Sequence, residues 1–128
     1  MEGLTAVSET FTRALKTLEE IIILPHSEIV RDATIQRFEY IFEIFWKFVK
    51  VYLNKREGIV CNSPKSCFRE AFAVGIISES DTTMALEMTD DRNLTSHAYH
   101  EEVAEEIFER IPSYCRLMKA TSLALIQS

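Results

Sequence analysis

Ile35-Gln36-Arg37-Phe38-Glu39-Tyr40-Ile41-Phe42-Glu43-Ile44-Phe45-Trp46-Lys47-Phe48-Val49-Lys50-Val51-Tyr52 is the stretch that decides the fold class. Ile35, Phe38, Phe42, Phe45, Val49 and Tyr52 recur at steps of three and four, the spacing that returns side chains to one face of an α-helix. Ile41, Ile44, Phe48 and Val51 form a second stripe beside the first. An apolar surface this wide exceeds what one neighbouring helix covers. A helix from about Glu28 to Lys55 is therefore expected both at the centre of a bundle and at a subunit interface.

Working outward, Leu4, Val7, Phe11, Leu15, Leu18 and Ile22 give a first helix the same periodicity. It is expected to stop near Leu24, because Pro25 disfavours a helical residue before it. Ser63-Pro64 reads as an N-cap followed by proline at the first helical position. The third helix so begun carries Phe68, Ala71, Phe72 and Ile76, and should end between Gly75 and Ser78. Ser78 or Ser80 caps a fourth, with Met84 and Met88 facing inward. A last helix starts near Glu101, whose neighbour Glu102 also suits a positive helix N-terminus. It uses Val103, Ile107, Ile111, Tyr114 and Met118, with a kink expected at Pro112. The expectation is one all-α domain over residues 1–128, an up-and-down bundle of about five helices resembling a four-helix bundle.

Composition agrees. The chain is 47% hydrophobic and 27% charged, with only three Gly and three Pro, too few turn residues for an all-β chain. The formal net charge of −6 repels nucleic acid at long range, so DNA is not an expected partner, and any RNA binding should be local to a cleft. Ile21-Ile22-Ile23-Leu24, the longest apolar run near the start, is far short of a membrane span. The opening Met1-Glu2-Gly3-Leu4 lacks the pattern of a signal peptide. Cys61, Cys67 and Cys115 form no Cys-x-x-Cys pair and read as reduced thiols. A cytoplasmic protein without a membrane segment is expected.

Chemistry concentrates in Arg92-Asn93-Leu94-Thr95-Ser96-His97-Ala98-Tyr99. No Glu-x-x-His, His-Glu-x-x-His, Gly-x-Ser-x-Gly or Gly-rich phosphate loop occurs anywhere. His97 and His100, followed by Glu101 and Glu102, fit no standard zinc spacing. Neither a metal nor a cofactor is expected, and His26, beside Pro25, is expected to have no role. Arg92 and His97, five residues apart, would diverge by about 140° on an unbroken helix. They converge only if the helix ends between them or a second subunit supplies one of them. Asn93, Thr95 and Ser96 all compete with helical hydrogen bonding, and Ser96 could cap the last helix with His97 in its first turn. Arg92 would then clamp a phosphate and His97 would move a proton near neutral pH. Together these suffice for attack of a ribose 2′-hydroxyl on its adjacent phosphate. The competing reading is structural: Arg92 pairs with Asp90 or Asp91, while His97 and Tyr99 only close a helix corner. The residues alone leave both open.

Arg92-x4-His97-x-Tyr99, with Asn93 directly after the arginine, resembles the signature of the HEPN superfamily (higher eukaryotes and prokaryotes nucleotide-binding). Ile35 to Glu43, Trp46-Lys47 and Tyr52-Leu53 are similar to the long second helix of its nucleotidyltransferase substrate-binding branch, which includes HepT-type toxins. Ser63-Pro64, Phe68 to Phe72, Gly75-Ile76-Ile77 and Glu101-Glu102-Val103-Ala104 with Ile107 continue the likeness. One departure is Asp81-Thr82-Thr83, where relatives often carry a Trp; it bears on the local pocket, not the motif. The resemblance implies a homodimer with two Arg-His sets at a shared cleft, and a separately encoded minimal nucleotidyltransferase as partner. It implies a metal-independent endoribonuclease in which Arg92 orients phosphate and His97 is general acid or base. Asn93 would support the site, and Tyr99 would be the acceptor of an inhibitory AMP. The alternative it allows is a non-catalytic substrate-binding or regulatory subunit of the nucleotidyltransferase.

Overall fold

A computed structural model describes residues 3–127. Five α-helices follow one another: α1 (Leu4–Ile21), α2 (Glu28–Glu57), α3 (Pro64–Ala73), α4 (Glu79–Leu94) and α5 (Glu101–Gln127). A single 3₁₀ turn, Thr95–His97, joins α4 to the loop before α5. No strand occurs among the described residues, and the architecture is the helical bundle the periodicity predicts.

Local signals set most helix ends. Ser27 caps α2 by accepting from the Val30 amide at 3.0 Å, and Gly58, at φ 69°, closes it. That left-handed position suits a residue without a Cβ and lets Ile59 N bond Leu53 O at 3.0 Å. Ser63 caps α3 with Pro64 behind it, as expected. Of the two candidate serines, Ser78 caps α4, accepting from Asp81 N at 3.1 Å. α1 ends at Ile21, earlier than the Leu24 that Pro25 suggested, since the turn that readies the chain for the proline already occupies Ile22 to Leu24. α3 ends at Ala73, before the expected Gly75–Ser78 limit, because Gly75 at φ 83° folds the chain back and Ile76 N reaches Ala71 O at 2.9 Å. α5 continues across Pro112 as one helix.

α2 is the axis of the molecule and packs against α1, α3, α4 and α5. Phe11, Phe38, Phe42, Phe45, Phe48 and Phe68 are all fully buried, and their rings meet across α1, α2 and α3, for example Phe11–Phe45 at 5.5 Å and Phe45–Phe68 at 5.8 Å. Such aromatic pairs add about 0.5–1.5 kcal/mol each beyond area burial. The second stripe of α2 finds its neighbours largely within the chain. Ile41, Phe48 and Val51 are buried within this single chain and Ile44 is partly covered. Covering by the neighbouring helices accounts for the width of the apolar surface, so the stripe no longer argues for a subunit interface. On α3, Phe68 and Ala71 are buried while Phe72 is 45% exposed.

Cys61 and Cys67 form a disulfide across the loop that leads into α3, with Cα atoms 5.3 Å apart. This overturns the reading of reduced thiols: the Ser63-Pro64 turn doubles the chain back and brings residues six apart together. Cysteine usage therefore no longer argues for a reducing compartment. Cys115 is a free, buried thiol, pushed up to about 11 by burial, which leaves it protonated and unreactive near neutral pH. Among the described residues no helix is long and apolar enough to cross a membrane.

Candidate functional site at the corner between α4 and α5

α4 ends at Leu94, between Arg92 and His97. Of the three side chains predicted to compete with helical bonding, Thr95 and Ser96 do so and Asn93 does not. Thr95 Oγ1 donates to the Arg92 carbonyl at 2.6 Å, and Ser96 Oγ donates to the Asn93 carbonyl at 3.1 Å. Orphan carbonyls of the last helical turn are thus satisfied from within the motif itself. Ser96 does not cap the last helix. α5 starts only at Glu101, with Ala104 N bonding His100 O at 3.0 Å, and His97 closes the 3₁₀ turn ahead of it. The N-terminal dipole of α5 falls on Glu101 and Glu102, not on His97.

Arg92 is 28% exposed at its side chain. Its Nη1 donates to Thr95 Oγ1 at 3.2 Å, and its Nε lies 3.5 Å from Glu43 Oε1. The structural alternative, in which Arg92 pairs with Asp90 or Asp91, does not occur. Asp91 accepts two bonds from Arg110, at 2.7 and 2.8 Å, and a third from the Tyr114 hydroxyl. Asp90 meets Lys65 Nζ at 2.6 Å. With both neighbouring carboxylates occupied, the Arg92 guanidinium is left to the motif and to α2. The Tyr114 phenol is pushed upward, first by burial and then by Asp91. The Arg110 guanidinium is raised by its bond to Asp91.

His97 is exposed, with its ring 6.3 Å from that of Tyr99. Tyr99 stands 75% exposed and lies 4.3 Å, centroid to centroid, from the His100 ring. Asn93 contributes its carbonyl to Ser96; its exposed side chain makes no hydrogen bond among the described residues. Arg92 and His97 do not hydrogen-bond each other within one chain, and the backbone between them stays right-handed helical, α to Leu94 and 3₁₀ from Thr95 to His97. Among the described residues no group of three or more His, Cys, Asp or Glu is arranged to hold a metal ion.

Sequence reading missed the groups that brace this corner. Arg31, only 4% exposed, bonds Asp32 and Glu105 at 3.0 Å and lies 3.7 Å from Glu101. It ties the start of α2 to the start of α5. Glu105 is held below the usual carboxylate range, chiefly by its bond from Arg31. His26, given no role from sequence, meets Glu105 at 3.1 Å and packs on Phe108. Glu43 was likewise not singled out. Apart from Asp32, these partners lie tens of residues apart in the chain, and nothing in local spacing links them.

A helical bundle carrying an Arg-x4-His-x-Tyr turn at the end of its fourth helix has the architecture of a HEPN-type protein. The family model described as "Nucleotidyltransferase substrate binding protein like" matches residues 7–127, and the chain belongs to that HEPN/HepT-like family. A protein of Haemophilus influenzae named "Probable ribonuclease HepT" is 31% identical over 94 residues. That match covers 67% of this chain and 63% of the relative, so it spans less than two thirds of the relative's length. A crystal structure of a protein from Thermus thermophilus superposes with a TM-score of 0.87 at 46% identity, covering 90% of this chain and 98% of that one.

Proposed function

We propose that this chain is the HEPN member of a two-component, toxin–antitoxin-like module, and that it is an endoribonuclease needing no metal ion. The observation that carries the reading is the Arg92 guanidinium, paired with neither Asp90 nor Asp91 and partly exposed at the same helix corner as the exposed His97. The family, and the name of the Haemophilus relative, support it. In the reaction, the ribose 2′-oxygen attacks the adjacent phosphorus while its proton passes to an imidazole. The bond from phosphorus to the 5′-oxygen breaks, and that oxygen takes a proton from an imidazolium. The products are a 2′,3′-cyclic phosphate and a free 5′-hydroxyl. Arg92 neutralises the pentavalent phosphorane, and His97 moves the protons. A homodimer with a shared cleft would supply two imidazoles, so that one can act as base while the other acts as acid. Such a pairing is also the means by which Arg92 and His97, not in contact within one chain, meet at one phosphate.

Tyr99 is the proposed acceptor of AMP from a separately encoded minimal nucleotidyltransferase. Its phenolic oxygen would attack the α-phosphorus of ATP, releasing pyrophosphate, with the phenolic proton taken up by the partner enzyme. Its 75% exposure, beside His97 and His100, supports that role. An added AMP there would crowd the His97 ring and bring a negative charge to the phosphate site. RNA and ATP as reactants make the cytoplasm the compartment of action.

A second reading, that the chain presents substrate to the nucleotidyltransferase without cutting RNA, is favoured by the description of the family itself. Purified, partner-free protein incubated with RNA in EDTA separates the two. The ribonuclease reading predicts fragments ending in 2′,3′-cyclic phosphate and a loss of about 10²–10⁴-fold in His97→Ala. Absence of cleavage by the unmodified protein leaves the binding role. Incubation with the partner, ATP and Mg²⁺ should add the mass of one AMP per chain, and Tyr99→Phe should abolish it. A gain that survives Tyr99→Phe removes the acceptor assignment.

A further inference from the structure

Glu43 was not among the residues expected to matter, yet it is the contact from α2 to the candidate arginine. Its two carboxylate oxygens have different neighbours. Oε2 accepts from the Trp46 indole Nε1 at 2.9 Å, one turn along the same helix, which fixes the rotamer. Oε1 lies 3.5 Å from Arg92 Nε, a buried nitrogen with no hydrogen-bond partner among the described residues. An unsatisfied buried donor is rare and points to a functional or strained position. Nη1 is held by Thr95 Oγ1 at 3.2 Å. The guanidinium is therefore bounded on its Nε side by α2 and at Nη1 by the 3₁₀ turn, while Nη2 has no partner among the described residues.

We propose that Glu43, braced by Trp46, is a positioning residue that sets the orientation in which Arg92 offers its terminal nitrogens to phosphate. The geometry stands alone; its consequence for catalysis rests on the ribonuclease reading. A planar, forked donor recognises phosphate through two parallel bonds, so rotation about the last side-chain torsion misaims both. A carboxylate against Nε opposes that rotation. It also places a negative charge close to the anion's seat, which weakens ground-state binding of RNA. Loss of the positioning lowers kcat, and loss of the repulsion lowers KM. This separates the role from simple loss of folded protein, which lowers the apparent kcat and leaves KM alone.

Glu43→Gln keeps an acceptor for Trp46 and removes the charge, so the fold is retained. In a ¹⁵N spectrum of the full chain, the Arg92 Nε–H should exchange with water at least about tenfold faster in Glu43→Gln, and by an intermediate factor in Trp46→Phe. With RNA, kcat should fall about tenfold while KM also falls, by roughly two- to fivefold. Exchange within about twofold of the parent protein overturns the proposal. So does a parent protein that cuts RNA beside a Glu43→Gln variant of equal kcat, which would leave the ribonuclease reading standing. A parent protein that cuts no RNA removes the ribonuclease reading instead, and the exchange rate alone then decides whether Glu43 holds Arg92.

Discussion

Tyr114→Phe removes one hydroxyl from the network that anchors the last turn of α4. The phenol donates to Asp91, the residue before Arg92, and Asp91 keeps two bonds from Arg110. The ring, stacked on Phe38 at 5.7 Å, is retained, so no cavity arises. The change is therefore the loss of one hydrogen bond to a charged acceptor, worth about 1.5–3 kcal/mol. For a chain of this size a destabilisation of 1 kcal/mol lowers Tm by about 4 °C, so the variant should melt roughly 6–12 °C lower. A pH arm isolates the same group. Burial and Asp91 raise the folded-state pKa of Tyr114 above its unfolded value, so its stabilising contribution is fully present below about pH 10 and is lost as pH rises beyond that. Above about pH 10 the stability gap between parent and variant should close by about 1.4 kcal/mol per pH unit. Circular dichroism melts of both proteins at about pH 8 and pH 11 check this. A gap under about 0.5 kcal/mol at the lower pH, or one that does not narrow at the higher, refutes the reasoning.

Three further outcomes follow from the same contacts. Glu105 is held below the usual carboxylate range, so its contribution is present above about pH 4.3 and lost as pH falls through the lowered value; Glu105→Gln should flatten the acid limb of a stability–pH curve. Reducing the Cys61–Cys67 bond, which joins residues six apart, should cost about 2 kcal/mol by loop-closure entropy; thermal melts with and without a reductant measure it, and Cys61→Ser should be indifferent to reductant. Phe68→Ala, at a fully buried ring in contact with Phe42 and Phe45, should cost about 3–5 kcal/mol in denaturant titration.

The helices were legible because amphipathic periodicity and caps are local. Ser63-Pro64 and Ser78 mark their helix starts wherever the rest of the chain goes. The helix end between Arg92 and His97 was legible for the same reason, since Thr95 and Ser96 bind carbonyls three residues back. What the sequence hid depends on packing between distant segments. The second stripe of α2 looked surplus because periodicity counts apolar residues without counting the helices available to cover them, and Ile41, Phe48 and Val51 are covered within the chain. Asp90 and Asp91 sat nearest to Arg92 in sequence, but Lys65 and Arg110 reach them first in space. The contacts of Glu43 with Arg92 and of Arg31 with Glu101 and Glu105 carry no local signature, because those partners come from α4 and α5. Proximity in sequence offered Asp90 and Asp91 as partners for Arg92, and the fold gives both to other cations.

The central claim is that a guanidinium and an imidazole act on one phosphate, and single-turnover RNA cleavage by the partner-free protein, Arg92→Ala, His97→Ala and the double variant tests it most directly. The account predicts that each single change costs at least about a hundredfold and that the double variant is scarcely slower than the worse single, as for groups acting as a unit. Cleavage by His97→Ala at the rate of the parent protein, or losses that simply multiply in the double variant, would contradict it.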